Sequence, residues 1–203
     1  MQSSIWRWAL AAGLAAGLAA LAGTAAAEKA DGDKPTQIDA ARGQYNDLKQ
    51  VGWYEGGVVL TKGTLRIEGA RLDFRKDPEG YEYAVIVGAK GELATFRQRR
   101  DPTRPGVEEV VEGRAERIEY DGRNETMKLI TRASWRRLEN AEPRDEISGN
   151  LIVYDSRNAT YSTDGKGADN DGRVRTIIAP RRDDKAPSTA QPVPLKREPS
   201  ITP

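Results

Sequence analysis

One spacing recurs through the chain and limits what it can fold into. A small residue is followed five positions later by an aromatic, usually with an aliphatic two before that aromatic. The copies are Ile38-Asp39-Ala40-Ala41-Arg42-Gly43-Gln44-Tyr45, Ile67-Glu68-Gly69-Ala70-Arg71-Leu72-Asp73-Phe74, Gly113-Arg114-Ala115-Glu116-Arg117-Ile118-Glu119-Tyr120 and Ile147-Ser148-Gly149-Asn150-Leu151-Ile152-Val153-Tyr154. Apolar and polar residues alternate within them, which is the period of a strand with one buried face. Turn residues follow, as in Lys76-Asp77-Pro78-Glu79-Gly80, Asp121-Gly122-Arg123-Asn124 and Asp155-Ser156-Arg157-Asn158. Further alternating stretches run over 57–61, 83–87, 93–98, 126–130 and 159–163, and Lys62-Gly63 reads as a tight turn. The copies begin at unequal intervals, which argues against a strict parallel solenoid and for a meandering antiparallel roll. Val107, Val110, Val111 and Ile118 also fit a helical face, but Gly106 and Gly113 weaken a helix and the repeat assigns a strand.

The alternation directs Leu65, Ile67, Leu72, Phe74, Ile118, Tyr120, Ile152 and Tyr154 inward, and Glu68, Asp73, Glu119 and Asp155 outward. Such an interior is either a filled core or, if two sheets separate at the middle, a greasy trough suited to acyl chains. An open roll also has an edge at each end, and unlike edges allow head-to-tail association. No run of Lys guards the first strand near Thr36.

Composition removes most enzyme templates. The 203 residues include no Cys and no His, which excludes disulfides, thiolate chemistry and Cys-ligated metals, and removes the usual general base at neutral pH. Only 6% are aromatic, so the core draws mainly on Val, Ile, Leu, Ala and Tyr. The net charge of +1 offers nucleic acid no field, and no metal or other cofactor is expected.

Residues 1–27 carry Arg7, an apolar run from Trp8 to Ala22 and Ala25-Ala26-Ala27 before Glu28, which reads as a cleaved signal peptide. The alternative is an uncleaved anchor. Residues 28–35 read as a flexible leader and 36–180 as the β domain. Residues 181–203 carry Pro187, Pro192, Pro194, Pro199 and Pro203 and read as a disordered tail.

The body also resembles a known family. Tyr54-Glu55-Gly56-Gly57-Val58-Val59-Leu60-Thr61-Lys62-Gly63 runs into Ile67-Glu68-Gly69-Ala70. Leu93-Ala94-Thr95-Phe96-Arg97-Gln98 precedes Val111-Glu112-Gly113-Arg114-Ala115, and Arg173-Val174-Arg175-Thr176-Ile177-Ile178-Ala179-Pro180 closes the body. In this order, behind a signal peptide, the stretches resemble the OstA-like family of periplasmic lipopolysaccharide-transport proteins from about Thr36 to Pro180. The resemblance implies an all-β, open antiparallel jellyroll shaped like a slightly twisted V. It implies lipid A acyl chains in the apolar interior with the sugar outside, and protomers stacked end to end by strand pairing. The N-terminal edge would meet the inner-membrane transport complex and the C-terminal edge the outer-membrane translocon. ATP is consumed in the inner-membrane transporter, so this component would be no enzyme.

Residue by residue, the resemblance assigns lipid contact to Ile38 and, where the family often has an aliphatic, Thr36. Phe96 stands in the matching A-T-F-x-Q stretch and Tyr120 matches a strand-end aromatic. The inward aromatics Phe74 and Tyr154 join the same set. Arg75, or Lys76 beside it, stands for a rim cation facing lipid A phosphates, against the plainer reading of a solvated turn charge. The chain departs from the family pattern at Thr36, around Pro102 to Pro105 and in the long tail. Three other readings remain: a membrane-anchored partner of the same fold, a carbohydrate-active solenoid using carboxylates such as Asp73 and Glu119, and a structural or adhesive roll with no ligand.

Overall fold

A computed structural model describes residues 31–101, 104–166 and 172–180. The expected signal peptide, residues 28–30 of the leader and the Pro-rich tail lie outside the described residues. Among the described residues are twelve strands: β1 (Thr36–Asp39), β2 (Arg42–Asn46), β3 (Val51–Lys62), β4 (Leu65–Lys76), β5 (Glu82–Val87), β6 (Ala94–Arg99), β7 (Glu109–Ala115), β8 (Arg117–Asp121), β9 (Thr126–Glu139), β10 (Glu142–Asp155), β11 (Thr160–Asp164) and β12 (Arg175–Ile178). Every pairing is antiparallel. The stretch around Val110 and Val111 is strand, as the repeat requires.

The register sorts the strands into two half-sheets joined by four long bent strands. The first half runs β2, then 51–55 of β3, 71–76 of β4, β5, β8, 126–130 of β9, 151–155 of β10, and β11. The second runs β1, 58–62 of β3, 65–69 of β4, β6, β7, 133–139 of β9, 142–149 of β10, and β12. Strands β4, β5, β8, β9, β7 and β6 close into a ring, and β3 and β10 extend it at either end. The roll is thus open at its ends and closed around its middle.

The small residues of the repeat lie on the line where strands pass from one half-sheet to the other. β1 stops before Ala40-Ala41 and β2 resumes in the other half; the Ala41 amide bonds the Gly56 carbonyl at 3.0 Å. Gly56 and Gly57 carry φ of 85° and 64° within a register shift of β3, a left-handed backbone that suits glycine. At Gly69 a Cβ would collide with Ile86 Cγ2, so close packing across the bend requires glycine there. The line continues through Gly88 N–H to the Glu116 carbonyl (3.0 Å) and Glu116 N–H to the Thr131 carbonyl (3.0 Å). β9 bends at Thr131 and Arg132, both at positive φ, and β10 shifts register between Gly149 and Leu151.

The aromatic closing three of the copies begins a shared turn. After Tyr120, Asp121 Oδ1 accepts from the Asn124 amide at 3.0 Å. After Tyr154, Asp155 Oδ1 accepts from the Asn158 amide at the same distance, and in both turns the Asn Nδ2 donates back to the Asp carboxylate at 2.8 Å. After Tyr45, Asn46 Oδ1 accepts from the Lys49 amide at 2.9 Å. The carboxyl of Asp155 is held below the ordinary carboxylate range by the side-chain and backbone hydrogen bonds from Asn158.

Candidate functional site

Two opposed rows of side chains make the interior. In the second half-sheet the register aligns Leu60, Ile67, Phe96, Gly113, Trp135 and Ile147 on one inner row. In the first half-sheet Gly52, Phe74, Ala84, Tyr120, Met127, Tyr154 and Tyr161 align likewise. A parallel row carries Leu72, Ile86, Ile118, Leu129 and Ile152, all under 2% exposed. The result is one apolar strip running from the β1/β2 end to the β11/β12 end. At the latter end Trp135, Tyr154 and Tyr161 form a cluster, with the Trp135 and Tyr161 ring centroids 4.1 Å apart and the two tyrosines stacked at 5.0 Å.

The side chains of the two rows meet, so the interior of this state is a packed core. Each large apolar side chain so buried contributes about 1.5–3 kcal/mol. Two surface concavities, of about 510 and 730 Å³, lie on the outward faces. Trp53, Arg75 and Tyr83 line the first, and Arg97, Glu112 and Arg136 the second.

The residues singled out from the sequence fall in three places. Phe74, Phe96 and Tyr154 are in the core, and Ile38 and Tyr120 pack against it. Thr36 stands at the rim, where its hydroxyl donates to Glu82 at 2.5 Å. Arg75 is turned outward, on the face opposite Phe74, with its guanidinium carbon 3.5 Å from the centroid of the Tyr83 ring. Arg75 thus stands on the outward face, against the ring of Tyr83. The alternation that buries Phe74 sends its neighbour to the other face. The carboxylates of the enzyme reading are also outward and each is held by an arginine: Asp73 by Arg71 at 2.8 Å and Glu119 by Arg117 at 2.8 Å.

The rim of the interior, at the strand ends away from the bend, carries charges that the sequence reading did not identify. Lys62 follows Val58 and Leu60 on the inner face of β3, and its ammonium lies 2.8 Å from Glu82 Oε2, the oxygen that Thr36 also contacts. Asp31, 5% exposed, covers the adjoining turn by accepting from the Thr64 amide and hydroxyl, both at 2.7 Å, and from Gln98 at 3.0 Å. Tyr120 sits nearby, its hydroxyl pushed up to about 12 by burial and then by the charge of Glu82. Across the second half-sheet Arg137 bonds Asp145 at 2.6 Å and Glu139 at 2.8 Å and lies 3.6 Å from Glu109, which is wholly buried. Burial opposes the charge of Arg137, but the bonds it donates to Asp145 and the neighbouring carboxylates outweigh it and raise its pKa.

Among the described residues, both ends of the roll carry unpaired strand edges. β1 and β2 each pair only with β3, and β11 and β12 each pair only with β10. Ile177 and Ile178 of β12 are 43% and 76% exposed.

Residues 37–160 match the family model described as LptA/(LptD N-terminal domain) LPS transport protein. The lipopolysaccharide export system protein LptA of Haemophilus influenzae is 27% identical over 157 residues, covering 77% of this chain and 84% of that protein. LptA of Escherichia coli is 26% identical over 167 residues, 82% of this chain and 83% of its own length. LptH of Pseudomonas aeruginosa is 25% identical over 172 residues, 82% and 92% of the two chains. The crystal structure of LptH, the LptA-homologous periplasmic component of the lipopolysaccharide transport device of that organism, superposes with a TM-score of 0.60. It is 21% identical and covers 74% of this chain and 99% of the LptH chain, which establishes the shared fold.

Proposed function

The chain belongs to the LptA/(LptD N-terminal domain) family of LPS transport proteins, and from that premise we propose that it is a periplasmic bridge component that passes lipopolysaccharide from the inner to the outer membrane. The observation that carries this reading is the continuous apolar strip between two half-sheets, ending at each end in unpaired strand edges. Acyl chains would enter the interior by displacing the packing of the two rows, with Ile38, Phe74, Phe96, Tyr120 and Tyr154 as contacts. The sugar headgroup stays outside. Thr36 would contact the lipid at the rim. Edge pairing of β11 or β12 with β1 or β2 of the next copy would extend the strip from protomer to protomer, since an unpaired edge supplies a ready row of backbone donors and acceptors. By the same logic the N-terminal edge would serve the inner-membrane complex and the C-terminal edge the outer-membrane translocon. Residues 1–27 would be removed on export, and the function requires no catalytic step.

The test is a photo-crosslinking residue at Ile38 or Phe96, introduced in cells. Lipopolysaccharide adducts are expected at both positions and none at the outward Glu68. Adducts at Glu68 alone would defeat the interior path. Sedimentation of the purified protein should show concentration-dependent linear oligomers, and a Pro placed in β12 should shorten them.

A further inference from the structure

The rim pair identifies a headgroup site. We propose that Lys62 is the residue that binds the anionic headgroup of the transported amphiphile, and that Glu82 occupies that site until a phosphate replaces it. The inference rests on the reading of the interior as the lipid path.

Lys62 is on the second half-sheet and Glu82 on the first, so their 2.8 Å contact crosses the mouth of the interior. Both side chains are largely withdrawn from water, at 12% and 16% exposure. The Thr36 hydroxyl converges on the same Glu82 oxygen at 2.5 Å, tying β1 into the contact. Ammonium, hydroxyl and carboxylate thus gather where the apolar strip reaches the rim.

The packed rows can admit acyl chains only if the half-sheets part, and parting them separates Lys62 from Glu82. An ammonium in so dry a position is costly when left alone. A ligand that supplies an anionic oxygen removes that cost, and a neutral headgroup does not. Phosphate oxygens accept from an ammonium as carboxylate oxygens do, and charge-assisted bonds of this kind are the stronger class. The Thr36 hydroxyl, released from Glu82, becomes a further donor to the same phosphate. Acyl chains alone would then be poor ligands. A phosphorylated glycolipid would open the mouth and compensate the charge it exposes.

The experiment measures equilibrium binding of the processed full chain to two probes: bisphosphorylated lipid A, and the same lipid stripped of phosphate with hydrofluoric acid. The wild type should prefer the phosphorylated lipid by about tenfold or more, the worth of one charge-assisted bond. Lys62→Met should bring the preference to within about twofold, Lys62→Arg should keep most of it, and Glu82→Gln should strengthen binding of the phosphorylated probe. Thermal melts confirm that each variant is folded. Retention of the full preference in folded Lys62→Met, or an equal loss in Glu82→Gln and Lys62→Met, overturns the assignment. A wild type that binds neither probe overturns the lipid-path reading itself, and one that binds both equally overturns only the headgroup site.

Discussion

The interior has an ionic group at each side of its rim, and the two are built differently. Lys62 and Glu82 belong to opposite half-sheets, so their contact exists only while the mouth is shut. Arg137, Glu109, Glu139 and Asp145 all stand on strands of one half-sheet, so their contacts survive any parting of the two. The first arrangement holds a movable joint and the second stiffens a wall. The largest expected effect follows. Arg137→Met removes the cation that bonds Asp145 and Glu139 and lies 3.6 Å from Glu109, which has no exposed surface. Stripping one partner from a buried charge group costs about 3–5 kcal/mol. Urea denaturation should show a loss of that size with an unchanged preference between the phosphorylated and stripped lipids. A loss below about 1 kcal/mol would place the cluster among ordinary surface pairs and remove the distinction.

The second prediction acts on the joint. Replacing both partners of a sequestered ion pair by apolar residues of similar size is often neutral or stabilising by about 1–4 kcal/mol. Lys62→Met with Glu82→Met should therefore hold or raise the denaturation midpoint, while lipid uptake slows because the mouth is now sealed by apolar contact and offers no cation. The same exchange at Arg137 and Asp145 would still take a cation from beside the buried Glu109. A doubly substituted rim that is destabilised as much as Arg137→Met would show that the rim pair, too, is part of the wall.

The difference between the two groups also marks where the sequence stops being informative. The repeat carries the architecture, because both of its fixed points have a physical job. Gly69 and Gly149 lie where long strands pass between half-sheets, and Tyr120 and Tyr154 sit inward immediately before Asx turns. The alternation also orients Arg75 outward once Phe74 is placed inside, so its direction was available from spacing alone. Other features have no local signal. β9 bends at Thr131 and Arg132 without a glycine, and a β-branched residue at φ 64° is not a position that sequence pattern suggests. Trp135 and Arg137 follow Ala133 on an inner face, but a charge at the third position interrupts the apolar alternation and hides the strand. Lys62 reads as part of a Lys-Gly turn, and nothing in the sequence connects it to Glu82, 20 residues away across the fold. Tertiary pairing of two charges is set by how the half-sheets meet, which periodicity does not encode.

The smallest expected effect lies at exposed turns that belong to neither group. The Asp155 carboxyl has a lowered pKa because the Asn158 side chain and backbone bond its ionised form. A group whose folded pKa lies below its unfolded value stabilises fully above the unfolded pKa, about 4 for a carboxylate. That contribution is lost as pH falls through the folded value. Asp121, turned the same way around Asn124, also has a lowered pKa: burial opposes the shift, and the backbone and side-chain bonds from Asn124 outweigh it. Asp155→Asn should therefore flatten the acid limb of a stability-versus-pH curve below about pH 4 and leave the plateau at pH 7 only slightly lowered. Arg137 keeps its charge throughout this range, its pKa being raised above an already high value. Acid should thus loosen the turns at the rim of the first half-sheet, and hydrogen exchange at 122–125 and 156–159 should quicken before exchange in β7 and β9. The opposite order of exchange would mean that the wall, and not the turns, gives way first.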